Sequence, residues 1–384
     1  MTWPGAPLYP EQRRIHRIHR GLLTERQEHI FTWVAVVVVM LYVTAWIAAV
    51  ADIYRIRNTP TFIAPGEHTE PAGPPATPVQ QVTSMFGPMT PAAPHLLSDA
   101  MLSFLHPLRG ESGDIRFVSA LPGSRFVEAP GGANVVIEGQ DATPFVAPRQ
   151  PGIYDFAVQM NDAQKPIEDF AIITLVPRSA RRGGQIGRYR LGFWPFENGS
   201  MPRTDRYAPP RGFIQVTPQN EDFQVSSHFR MQQFLTKDQY GVWPKYLLLD
   251  PMLLDKLELT IDELRREGVR VDHVHIMSGF RTPTYNRGGG NTQGRANLSR
   301  HMYGDASDVY VDNNQDGYPD DITGDGRVTV ADAEKFARAA ERVENAHGSL
   351  VGGIGIYPAC CGHGPFTHVD VRGFRARWRG TGSG

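Results

Sequence analysis

The spacing of apolar and polar positions divides the chain before any single residue is weighed. Positions 30–51 carry no charge and are dominated by Val, Ala, Leu and aromatics. At about 1.5 Å rise per residue, a helix of that length reaches across a bilayer's hydrocarbon core. The pattern predicts one transmembrane helix, with Trp33, Trp46 and Tyr54 near its ends, where aromatic rings favour the interface. A cleaved signal peptide ending near Ala51 is the competing expectation, but the apolar run is longer than a usual signal core. Between 98 and 177 the rhythm changes to short apolar runs at 115–118, 124–127, 133–137, 152–158 and 170–176, divided by Pro-Gly, Gly-Gly and Asn-Asp breaks. That alternation predicts a small antiparallel β-sandwich of immunoglobulin-like character, acting as a spacer. At 248–267, Leu254, Leu257, Ile261 and Leu264 recur at three- and four-residue steps and Gly268 closes the stripe, which predicts a helix. Positions 269–277, 306–311 and 367–372 alternate as strands.

The polar stretches fix how these parts are joined. Residues 1–29 carry Arg13, Arg14, Arg17, Arg20 and Arg26, which outweigh Arg55 and Arg57 beyond the apolar run. The N-terminus should therefore stay cytoplasmic and the C-terminal domains should be periplasmic or extracellular, on a single-pass anchor in the cell membrane. Residues 58–97 are rich in proline and poor in large aliphatics, the composition of an extended tether. Residues 178–212 are rich in Arg, Gly and Pro and read as a long connection or lid. The expected fold class is α+β: an anchor helix, the sandwich spacer, and a C-terminal α+β domain at 213–380. With 384 residues there is chain enough for two or three domains, and a net charge of −1 argues against a nucleic-acid partner held by a basic surface. The oligomeric state stays open.

The chemistry concentrates in SRHMYGDASD (299–308) and FTHVD (366–370). His301, Asp308 and His368 supply two imidazoles and one carboxylate, the ligand count of a catalytic zinc site that keeps a position free for water. Gly304 and Ala306 are small enough for a sharp turn back into a strand, so Asp308 could point at His301. On the neighbouring strand, His368 and Asp370 share one face and Val369 and Val371 the other. Spacing alone leaves a plainer alternative open, in which these are ordinary turn residues.

SGFRTPTYN (278–286), the S-x-H-x-x-G-x-A-x-D pattern from Ser299 to Asp308, GGIGIYP (352–358) and FTHVD, in that order, resemble the zinc D-alanyl-D-alanine peptidases of bacterial cell walls. That family includes D-Ala-D-Ala carboxypeptidases, vancomycin-resistance dipeptidases and murein endopeptidases, and shares a fold with the hedgehog signalling domain. The likeness covers about 215–378. It implies His301, Asp308 and His368 as zinc ligands, Arg281 as the cation for a substrate carboxylate or oxyanion, and peptidoglycan peptide as the partner. Members often carry Glu or Asp three residues before the last ligand, or His two before it; here those positions are Pro365 and Phe366. Asp370 and His363 are the remaining candidates for a general base.

The insertion at 312–332 is dense in oxygen donors. Asp321, Thr323, Asp325, the Arg327 carbonyl, Thr329 and Asp332 fit an EF-hand register, which predicts a calcium clamp followed by a helix at 333–346. A solvated acidic loop is the plainer alternative. The only cysteines, Cys360 and Cys361, are adjacent, so no disulfide framework is expected; packing is the simplest role, with a metal contact or a strained vicinal bond as alternatives. Two further readings stay open beside a peptidase: an inactive zinc-containing wall-peptide binder, and a calcium-dependent adhesion module.

Overall fold

The computed structural model describes residues 105–125, 134–137, 140–141, 146–160, 163–199, 204–289, 295–360 and 362–380. All lie in one compact unit, Pro74–Gly384. The run at 30–51 and the segments before and after it lie outside the described residues. Among the described residues no helix is long and apolar enough to cross a membrane. The expected fold class is corrected accordingly: the chain is mixed α+β with few helices, and its β-rich N-terminal part is not a detached antiparallel spacer.

That part is built from β1 (Phe117–Ala120), β2 (Asn134–Ile137), β3 (Gln140–Asp141), β4 (Gly152–Tyr154), β5 (Phe156–Met160), β6 (Ala163–Pro166), β7 (Ala171–Thr174) and β8 (Val176–Pro177). Two runs expected as single strands each serve two sheets. The chain breaks at Asp155, so β4 joins β1 and β7 while β5 joins β2, β3 and β6; after Thr174, β8 leaves to pair with a later strand, β11 (Gly212–Val216). β1 runs parallel to β7, so the sheet is mixed. β7 is buried along its whole length because it is covered on both sides. Ile172 packs into a small core with Val135, Phe156 and Phe170, whereas Ile173 belongs to the main core with Phe213, Leu254 and Phe336. Full burial of such side chains stabilises by about 1.5–3 kcal/mol each, which binds the two parts through one shared core.

The hairpin of β9 (Gln185–Ile186) and β10 (Tyr189–Arg190) follows, and β11 is flanked by β8 and β12 (Lys245–Leu247). The principal sheet has the order β13 (Val274–Ser278), β14 (Ala306–Val311), β16 (Phe366–Asp370), β15 (Gly353–Tyr357), β17 (Ala376–Arg379). Helix α1 (Pro251–Arg266) starts later than its leucine pattern suggested, because Asp250 caps it through Met252 N at 2.9 Å and Pro251 takes the first helical position. α2 (Pro283–Gly288) is one short turn after Arg281, and α3 (Val330–Ala346) packs on α1, β15 and β16. One face of the sheet is thereby sealed; the other carries the candidate site.

Candidate metal centre

The centre is fixed by strand register. Asp308 on β14 stands directly opposite His368 on β16, and His368 opposite Gly355 on β15. A register shift between Ile276 and Ser278 lets β13 deliver Ser278 opposite Asp308. His301 comes from the short 3-10 turn Arg300–Tyr303, which ends at Gly304 with φ 73°. A Cβ on Gly304 would also lie 2.3 Å from the Leu248 backbone, so glycine is needed for conformation and space alike. The turn is held by the buried Arg300–Asp305 ion pair, with the Arg300 guanidinium 4.6 Å from each of the rings of Tyr207 and Tyr303. Trp194 Nε1 donates to the Met302 carbonyl at 2.7 Å. The segment expected as a connection or lid thus supplies Trp194 and Tyr207 as packing for the turn that bears His301.

His301, Asp308 and His368 are all buried, and their donor atoms converge. His301 Nε2 lies 3.2 Å from His368 Nδ1 and 3.3 Å from Asp308 Oδ1, and His368 Nδ1 lies 2.8 Å from Asp308 Oδ1. The outward nitrogens are already used: His301 Nδ1 donates to the Gly279 carbonyl at 2.7 Å, and His368 Nε2 donates to Asp370 Oδ2 at 3.1 Å. Both imidazoles, when neutral, turn lone pairs toward a carboxylate oxygen with no proton between them. A cation relieves that arrangement. Ligands at about 2.0–2.1 Å in a tetrahedron stand about 3.3 Å apart, close to the observed separations. The group could hold a metal ion; its donors do not by themselves specify which.

The electrostatics agree. Burial, with the Arg281 charge, pushes His301 down to about 4 and keeps it neutral. Burial would raise Asp308, but His301 and Arg281 hold it well below the usual carboxylate range. Burial lowers His368, yet its hydrogen bonds to Asp308 and Asp370 prevail and raise it.

The remaining expected residues fall in distinct places. Arg281 donates from Nη2 to Asp308 Oδ2 at 2.6 Å and from Nε to Ser278 Oγ at 2.8 Å. Its Nη1 has no hydrogen bond among the described residues. Asp370 is saturated: Oδ1 accepts from Gly353 N at 2.7 Å and from Arg372 Nε at 2.9 Å, and Oδ2 takes His368 and Arg372. It orients His368 and has no lone pair left to serve as the general base, which corrects that expectation. His363 turns Nδ1 to the Gly364 carbonyl at 2.8 Å and packs its ring on Phe366. Cys360 is disulfide-bonded.

The acidic side chains of the calcium register do not converge as those of the His301 group do. Among the described residues, His301, Asp308 and His368 form the only group of three or more His, Cys, Asp or Glu side chains that converge. Asp321 accepts from Gly324 N at 2.7 Å and Gly326 N at 2.6 Å, and Asp325 accepts from Arg327 N at 2.9 Å. Asp332 accepts from Ile322 N, Thr323 N and Thr329 N. Thr323 spends its hydroxyl on Asp321, and Thr329 caps α3. These oxygens also close turns and start a helix, and α3 begins three residues earlier than expected, capped by Thr329.

Several supporting residues carried no visible signal. Spacing does not mark Lys256, Glu344 or Trp378, although the glycines of GGIGIYP mark close approaches at a strand. A Cβ on Gly352 would fall 1.8 Å from the Asp370 carbonyl oxygen, on Gly353 2.3 Å from Asp370 Oδ2, and on Gly355 2.3 Å from the Trp378 indole. No family model, curated protein or solved structure matches this chain.

Proposed function

We propose that this chain is a zinc metallopeptidase that hydrolyses peptide stems or crosslinks of bacterial peptidoglycan, outside the cytoplasmic membrane. The observation that carries the reading is the convergence of two imidazole lone pairs and one carboxylate oxygen, with both imidazoles fixed from behind. Zinc bound there would lower the pKa of a bound water to about 7 and polarise a peptide carbonyl. The Gly279 carbonyl and Asp370 keep the two histidines in the tautomers that ligation needs. Arg281 steadies Asp308 and offers Nη1, which has no partner among the described residues, to a developing oxyanion. The ordered motifs from Ser278 to Asp370 support the same substrate class.

A zinc-retaining wall-peptide binder is the second reading, favoured by the saturated Asp370 and by Pro365 where relatives often carry an acid. Digestion of defined muropeptides by the zinc-loaded full chain separates the two. The peptidase reading expects release of D-alanine or splitting of crosslinked dimers, abolished by His301→Ala. One bound zinc with no cleavage of any muropeptide would instead support the binder.

A further inference from the structure

Strand β15 runs beside the ligand strand, and its side chains alternate over the centre. Gly355 faces His368 and Tyr357 faces Phe366, so Tyr357 projects on the face that bears Asp308 and His368. Diagonal neighbours on adjacent strands remain within reach of an aromatic side chain. Gly355 leaves room for the Trp378 indole, whose ring lies 5.1 Å from that of His368. Trp378 Nε1 donates to the Tyr357 hydroxyl at 2.8 Å, and the Tyr357 ring stacks on Phe366 at 4.5 Å with planes 5° apart.

The hydroxyl is thus pinned by a bond it accepts, while nothing among the described residues accepts its proton. Tyr357 is half-buried, and the burial raises its phenol. The Asp308 charge acts in the same direction and Arg281 against it, so the two charges of the centre are felt at this ring. The group therefore stays an O–H donor and cannot serve as a base at neutral pH.

Resting on the peptidase reading, we propose that Tyr357 is a second oxyanion donor, its hydroxyl hydrogen-bonding the tetrahedral oxygen formed from the scissile carbonyl while Arg281 binds the same charge. Trp378 is its positioning residue. No proton is transferred; the phenol only donates a hydrogen bond that is stronger in the transition state than in the bound substrate.

The test compares zinc-loaded wild type, Tyr357→Phe and Trp378→Phe. Each is measured for kcat and KM on a D-Ala-D-Ala-terminated muropeptide, zinc content, and calorimetric affinity for a phosphinate analogue of D-alanyl-D-alanine, a tetrahedral anion. Phenylalanine keeps the stack on Phe366, so the fold is retained. Tyr357→Phe is expected to lose about 100-fold in kcat and a similar factor in phosphinate affinity, with KM and zinc content unchanged. Trp378→Phe should show a smaller loss of the same kind. A Tyr357→Phe protein within twofold of wild type in kcat and phosphinate affinity overturns the assignment. If wild type cleaves no muropeptide, the peptidase reading fails separately and the phosphinate affinities still decide Tyr357: a selective loss upholds it as an anion donor, and equal or absent binding overturns it.

Discussion

Lys256 Nζ donates to the main-chain carbonyl of Asp370 at 2.8 Å, joining α1 to the strand that carries His368 across 114 positions of sequence. The same ammonium donates to Glu344 Oε1 at 2.6 Å, and both side chains are fully buried. Glu344 also accepts from Gly352 N at 3.0 Å, so one ion pair fixes the backbone on both sides of the Asp370 carboxylate. Glu344 Oε2 also takes Arg377, so losing Lys256 leaves the carboxylate one cation but deprives Glu344 Oε1 and the Asp370 carbonyl of a buried donor. Lys256→Met should therefore cost about 1–3 kcal/mol in urea unfolding, and adding Glu344→Gln should not recover that loss because it also weakens the Arg377 pair. Equal stability of Lys256→Met and wild type would show the pair to be dispensable.

Asp370→Asn tests the orienting role. The amide cannot hold His368 Nε2–H as a carboxylate does, so the ring loses its fixed tautomer. Zinc affinity is expected to fall about 10- to 100-fold, with the fold retained by circular dichroism. An unchanged affinity would show that His368 needs no support from behind.

Metal affinity should depend on pH through His368. Its pKa is raised in the metal-free protein, and only the neutral ring can ligate. Affinity should climb as pH rises through that raised value and level off above it, with protons released on binding. Zinc titrations in weakly buffered solution from pH 5 to pH 9 measure both; a pH-independent affinity without proton release would contradict the assignment of His368.

His228 sets a pH window for stability. Its Nδ1 lies 2.5 Å from Glu258 Oε2, and that hydrogen bond raises its pKa above 6.5 despite partial burial. A raised folded-state value means the stabilisation is fully present below the unfolded pKa and is lost as pH rises through the folded one. The stability difference between wild type and His228→Gln should be larger at pH 5.5 than at pH 8.5 by about 1 kcal/mol, the order of a charge-assisted hydrogen bond. Parallel denaturation curves at both pH values check it.

Asp332→Ala should cost about 1 kcal/mol by removing the reciprocal cap of α3, whether calcium or a chelator is present. A loss seen only with calcium would restore the ligand role for that loop.

The grouping of His301, Asp308 and His368 was legible in part from local signals, a glycine and an alanine that permit a turn and period-two strands, but spacing left ordinary turn residues open and the ordered motifs of the resemblance tipped the reading. The sandwich runs were legible as strands but not as shared ones, since a break at Asp155 or after Thr174 follows from which sheet each half joins. Lys256 hid in a leucine-striped helix because its partners lie 88 and 114 residues away. Acidic residues at calcium-loop spacing do not separate a cation loop from a turn, because the same Asp and Thr types also close turns and cap helices.

Anomalous diffraction from zinc-loaded crystals addresses the three-ligand centre most directly. The expected result is a single peak about 2.0–2.1 Å from His301 Nε2, Asp308 Oδ1 and His368 Nδ1 together. A peak bound elsewhere, or these three side chains turned apart around no density, would contradict it.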